Sequence, residues 1–167
     1  ITLTNHQAHA QRPTTGGLFA YAIDDTVTHY EEPQGRVRVH YSSAGPNEVN
    51  LTDNDDNGIP DYVELVAAVA LETLDLFGAS LGLRAPEPEG AFMLGDNGGS
   101  EALDFYLVDF EGNSDGFFGT DACDENGRCT GHMVVENDFR GYGYGSTREG
   151  IETVVAHELF HAVQAAY

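Results

Sequence analysis

Residues 53–64 read DNDDNGIPDYVE, and a helical pattern begins before that stretch has ended. From 61 to about 81, Tyr62, Leu65, Val66, Val69, Thr73, Leu76 and Phe77 recur at the spacing of one helix face, and Gly78 or Gly82 can end the run. The chain must therefore pass from a tight acidic coil straight into a buried helix. The coil fits the pattern D-x-[DN]-x-[DN]-G-x5-E. Calcium takes roughly six to eight oxygen ligands. Asp53, Asp55 and Asn57 supply alternate side chains, Gly58 permits the sharp turn, and Ile59 offers its carbonyl. Asp61 fills the ninth position, often through water, and Glu64 closes the site from the first turn of the helix. Carboxylates this dense repel one another unless a cation lies among them. A solvated acidic turn is the plainer alternative. Pro60 and the lack of a preceding helix depart from an EF-hand.

Strand signals surround this joint. Residues 26–30 and 36–41 read as strands, and in the second Val37, Val39 and Tyr41 share a face at a period of two. AFML at 91–94 reads as a short strand, and LDFYLVDF at 103–110 as the strongest one. GFFGTDA and GHMVVEN flank a cysteine loop as the two arms of a hairpin. Residues 1–20 are polar and weakly patterned and read as an arm; His6 and His9 have no further ligands near them. Strands interleaved with two helices imply an α+β fold, a mixed sheet with both helices packed on it.

Charge and cysteines narrow the setting. The chain carries 28 Asp plus Glu against 7 Lys plus Arg, a net charge of -21. That excludes nucleic acid and anionic membrane as partners, because both need clustered cations. It suits a protein that holds cations or works in salt. No apolar run is long enough to span a bilayer. Cys123 and Cys129 enclose DENGR, whose Asn126-Gly127 reads as a turn tip, so a disulfide closing the hairpin is favoured over two free thiols. A disulfide implies an oxidising, extracellular compartment. A chain that starts at Ile1 without a leader suits a secreted protein whose signal peptide has been removed.

The last helix, 147–167, has Ser146 as its N-cap and Glu149 three residues on, a capping box. It carries His157-Glu158-Leu159-Phe160-His161, the H-E-x-x-H pattern. One helical turn puts His157 and His161 on one face, where both can reach one zinc ion. Glu158 can take a proton from a zinc-activated water and pass it to a leaving amine. Two satisfied histidines on a core helix are the alternative.

With RVRVHYSSAG, DNDDNGIPDYVE, LDFYLVDF and HELFHAVQAAY in view, the chain resembles zincin metallopeptidases, and is similar to a family of secreted metalloproteases of myxobacteria and their relatives. The resemblance implies a zincin upper subdomain over 21–167. Its backing helix would be 61–81, its active-site helix 147–167, and its edge strand would lie near 116–120. A peptide or protein substrate would bind as an added strand. Tyrosines of GYGYG at 141–145 could line the cleft.

The third zinc ligand is not evident. The metzincin extension fails, since Gln164 and Tyr167 occupy the Gly and His positions. Gluzincins and aspzincins take a Glu or Asp from well downstream. Either the chain is the N-terminal part of a longer protease, or His132 or Glu136 or another copy of the chain completes the site, or the domain is a calcium-binding module without catalysis. The first case predicts that Leu159, Val163 and Ala166 need a partner, which would be the remaining C-terminal part or a second copy.

Overall fold

A computed structural model of the chain describes residues 11–17, 19–92 and 97–167. The elements run β1 (Val27–Glu31), β2 (Val37–Ser42), α1 (Asp61–Asp75), a π-helical turn (Leu76–Ser80), β3 (Leu103–Val108), β4 (Gly116–Cys123), β5 (Cys129–Glu136) and α2 (Thr147–Ala165). The five strands form one open sheet in the order β1-β2-β3-β5-β4. β1 and β2 are antiparallel, β2–β3 and β3–β5 parallel, and β4 pairs antiparallel with β5 at the other edge. The fold is thus the α+β mixed sheet expected.

Alternation along the strands sorts the two faces. Val37, Val39 and Tyr41 of β2, Phe105 and Leu107 of β3, and Met133 and Val135 of β5 meet the apolar stripes of α1 and α2 in one core. Tyr106, Val108, Phe110 and Val134 point the other way and form a second, smaller cluster with Phe19 and Phe117 packed against it. Both helices therefore cover one face, and among the described residues no strand pairs with the outer edge of β4, beside α2.

α1 begins directly behind the acidic loop, with Pro60 as its N-cap residue and Asp61 and Glu64 in its first turn, where the helix dipole favours anions. The helical turns continue to Ser80, and Gly82 takes a positive φ of 65° just past the end. Cys123 and Cys129 are bonded and join the ends of β4 and β5 across the turn, with Gly127 at φ 85°. Among the described residues no helix is long and apolar enough to cross a membrane.

Three expectations change. Leu159, Val163 and Ala166 are 0%, 2% and 0% exposed and need no further partner. The reason is that α2 packs against α1, β4 and β5 along its length. Ala91 and Phe92 lie in bends rather than a strand, and the rest of that stretch falls outside the described residues. The N-terminal stretch is not wholly an arm. Arg12 is 3% exposed, and its guanidinium donates to Glu89 at 2.5 Å, Asp121 at 2.6 Å and Asp104. Phe19 packs against Phe110 with the rings tilted and their centroids 4.4 Å apart. Hydropathy patterning misses such a segment because one arginine, held by carboxylates from two strands and a turn distant in sequence, anchors it. His6 and His9 lie outside the described residues.

Candidate functional site

Ser146 caps α2 as expected, while the Glu149 carboxylate reaches the N–H one residue before the cap instead of that of Ser146 itself. The Glu149 N–H donates to Ser146 Oγ at 3.1 Å, and the Glu149 carboxylate accepts from the Gly145 N–H at 2.8 Å. Below that start, Ile151, Val154, Val155, Leu159, Ala162 and Val163 are buried, which sets the rotation of the helix. That rotation leaves His157 and His161 exposed and buries Glu158, at 5% exposure.

The two imidazoles converge. His157 Nε2 and His161 Nε2 stand 3.1 Å apart. Two nitrogens on one tetrahedral zinc, at bond lengths of about 2.0–2.1 Å, would stand about 3.3 Å apart. His161 Nδ1 lies 3.0 Å from Gln164 Oε1, so the Nδ1 proton has an acceptor and Nε2 is left free to ligate. Gln164, which breaks the metzincin pattern, thus orients a histidine instead.

Glu158 approaches the start of β4. A Cβ added to Gly116 would meet Glu158 Oε1 at 2.7 Å and Val154 Cγ1 at 2.5 Å, so the absent side chain admits the glutamate. Burial pushes the Glu158 carboxyl above the ordinary carboxylate range, with Asp115 adding to the rise and both histidines opposing it. Between β4 and α2 lies a cavity of about 320 Å³ lined by Ser114, Asp115, Gly116, Tyr144, Thr153, Val154, His157 and Glu158. Its walls carry two carboxylates, those of Asp115 and Glu158, and one imidazole, that of His157.

The sequence reading misses Asp115 and the purpose of Gly116. The signal available was GNSDG, a turn whose last two residues stand at the head of the edge strand. The two tyrosines of GYGYG divide. Tyr142 donates to Ser114 O and, at 2.7 Å, to Glu136 Oε2. Tyr144 donates to Asp115 Oδ2 at 2.5 Å and lines the cavity.

His132 and Glu136 do not join the histidines. His132 is fully buried, bonded to Asp121 at 2.9 Å, and edge-on to Tyr106 of the second cluster. Strand alternation turns it away from α2. Glu136 accepts from the Phe110 and Asn137 N–H groups and from Tyr142. Among the described residues no group of three or more His, Cys, Asp or Glu side chains is arranged to hold a metal ion.

The 53–64 loop wraps on itself. Asp53 accepts from the Gly58 N–H at 2.8 Å and the Asn57 N–H at 3.2 Å, and the Gly58 bond is the main reason its carboxyl lies below the usual range. Asn57 Nδ2 bridges Asp55 at 3.1 Å and Glu64 at 2.8 Å. Asp61 turns to the Asn54 N–H at 3.0 Å. Four of the six proposed calcium ligands, Asp53, Asp55, Asn57 and Glu64, are thus tied together. The Asn57 amide hydrogens stand where two carboxylates meet, and presenting its oxygen to a cation there would give up the bond that oxygen accepts from the Ile59 N–H. Ile59 is half-buried, with its N–H on Asn57 Oδ1, and its carbonyl completes the proposed set. No protein-family model matches this chain, and neither the curated proteins nor the solved structures contain a match.

Proposed function

We propose that this chain carries the active-site helix of a secreted zinc metalloendopeptidase, built as a zincin-like upper subdomain over residues 21–167. In that reading α1 is the backing helix, α2 the active-site helix and β4 the edge strand. The observation that carries it is the 3.1 Å approach of the two Nε2 atoms, with Glu158 buried on the same helix turn against a sheet edge. Zinc bound there would supply Lewis acidity and lower the pKa of water. Glu158, with its proton affinity raised by burial, is suited to accept a proton from the attacking water and return it to the leaving amine. A peptide would lie along β4, its main chain bonded to the open edge. The disulfide favours an oxidising compartment, and calcium in the 53–64 loop would hold the start of α1.

Calorimetric zinc titration combined with hydrolysis of unfolded casein tests the reading. The expectation is weak zinc binding by this chain alone, through two histidines and water, that is lost in His157→Ala and His161→Ala, with little or no cleavage and any cleavage lost in Glu158→Gln. Zinc binding indifferent to both histidines would overturn it.

A second reading has one observation in its favour. Because no three-ligand group exists among the described residues, the domain can instead be a calcium-stabilised extracellular module that keeps this scaffold without catalysis. It predicts calcium-dependent thermal stability and no cleavage at any zinc concentration.

A further inference from the structure

Resting on the peptidase reading of α2, we propose that Asp115 makes the cleft selective for substrates that carry a cation, a guanidinium or ammonium, beside the bond that Glu158 serves. Asp115 immediately precedes β4, the edge strand, so a peptide added to that edge passes its side chains over the cavity that Asp115 and Glu158 share.

The carboxylate is held for recognition. Its backbone carbonyl accepts from the Glu136 N–H at 3.0 Å, and Tyr144 donates to one carboxylate oxygen. Tyr144 is itself fixed edge-on to Phe139, with centroids 5.5 Å apart. Burial beside Asp115 pushes the Tyr144 hydroxyl up to about 12, so it stays a donor and does not compete as an anion. Asp115 is half-buried, which strengthens its attraction for a charge brought into the cleft.

No arginine lines the cavity, and its one basic group is the His157 imidazole. The sequence contains no lysine, and its basic residues are 7 arginines and 7 histidines. Each arginine is engaged elsewhere. Arg12 is held by three carboxylates, Arg36 by Asp75, Arg38 by Glu31, Arg84 by the Ala166 carbonyl, Arg128 by Asp124 and Glu87, Arg140 by Asp138, and Arg148 by Glu152. A guanidinium or ammonium partner for Asp115, beyond the Tyr144 hydroxyl, therefore comes with the substrate.

Fluorescence anisotropy of short labelled peptides on the full chain, with zinc present and at 0.15 M salt, tests this without needing turnover. One pair differs only by Arg against citrulline within an acetylated peptide; a second differs only by a free against an acetylated N-terminal amine. The cationic member of at least one pair should bind about tenfold more tightly or better. The pair that discriminates identifies side chain or terminus as the source of the cation. Discrimination should vanish in Asp115→Asn and persist in Glu125→Gln, which removes the same charge at the exposed hairpin tip. Equal affinity within both pairs, no binding of any peptide, or undiminished discrimination in Asp115→Asn would overturn the proposal. Discrimination by a protein whose zinc binding is indifferent to His157 and His161 would leave it standing while the peptidase reading falls. Hydrolysis that ignores charge and is unchanged in Asp115→Asn would do the reverse.

Discussion

Glu158 and Gly116 act as one unit, because the carboxylate occupies space that any other residue at 116 would fill. Gly116→Ala should therefore destabilise the fold by about 1–3 kcal/mol through overpacking, read as a lowered urea midpoint, and displace Glu158 as well. Glu158→Gln keeps the shape. It should leave the urea midpoint near that of the wild type while reducing any peptidase rate by at least about a hundredfold. A variant that loses stability but keeps its rate would show that Glu158 is a packing residue. A second buried carboxylate makes a pH prediction. Glu89 is fully buried against Arg12, yet burial outweighs that pairing and raises its pKa from 4.5 to about 8, since Arg12 is shared with Asp104 and Asp121. A pKa raised on folding stabilises the protein fully below the unfolded value, and that contribution is lost as pH rises towards 8. Glu89→Gln cannot titrate. The stability difference, wild type minus Glu89→Gln, should thus fall steadily between about pH 4.5 and 8; a flat difference in urea unfolding would refute the raised pKa. His157, Glu158 and His161 were legible because helical spacing alone brings them together. Asp115, Arg12 and Glu89 were not, because their neighbours lie on other elements and no local period reports them.

The helices and strands were more legible than their surroundings. Binary patterning predicts β2 with its inner face, β3, the hairpin arms and both helices, since each buries one face against the same core. It fails for residues 91–92 and for Arg12, where long-range packing decides the conformation. The acidic loop lies between these cases. Its ligand spacing is a local property, yet whether the loop fills with calcium is an energetic question that α1 answers. If calcium binds the native loop alone, stability rises by RT ln(1 + [Ca]/Kd), about 2.7 kcal/mol at roughly a hundredfold excess over Kd. For a domain of this size that is on the order of 5–10 °C in Tm. Adding a chelator should lower Tm by that order, and Asp55→Ala or Glu64→Gln should abolish the difference; a chelator without effect on the wild type rules the site out. The hairpin offers a separate check. Replacing Cys123 and Cys129 by Ser should cost about 2 kcal/mol, because the closed loop is short, with β4 and β5 still paired through their ladder.

At the scale of the whole molecule, a charge of -21 makes the folded chain repel itself. Four of the twelve residues in the 53–64 loop are Asp and one is Glu, so much of that repulsion is concentrated at the joint between β2 and α1. The arginines offset little of it, since several pair at the surface, where salt and water weaken them. The Arg12 cage differs: with side chains 3%, 0%, 0% and 4% exposed, it is shielded from solvent ions. Screening should therefore remove repulsion faster than it removes attraction. Shortening the Debye length from about 30 Å at 0.01 M to about 3 Å at 1 M is expected to raise Tm. The rise should be largest with a chelator present, when no divalent cation neutralises the acidic loop. With calcium in excess the gain should shrink, because salt then also weakens the ion's attraction to Asp53, Asp55 and Glu64. Thermal unfolding across that salt range, with and without calcium, separates these effects. A Tm that falls with salt in the chelated protein would mean that the surface arginine pairs, rather than acidic self-repulsion, dominate the electrostatics of this fold.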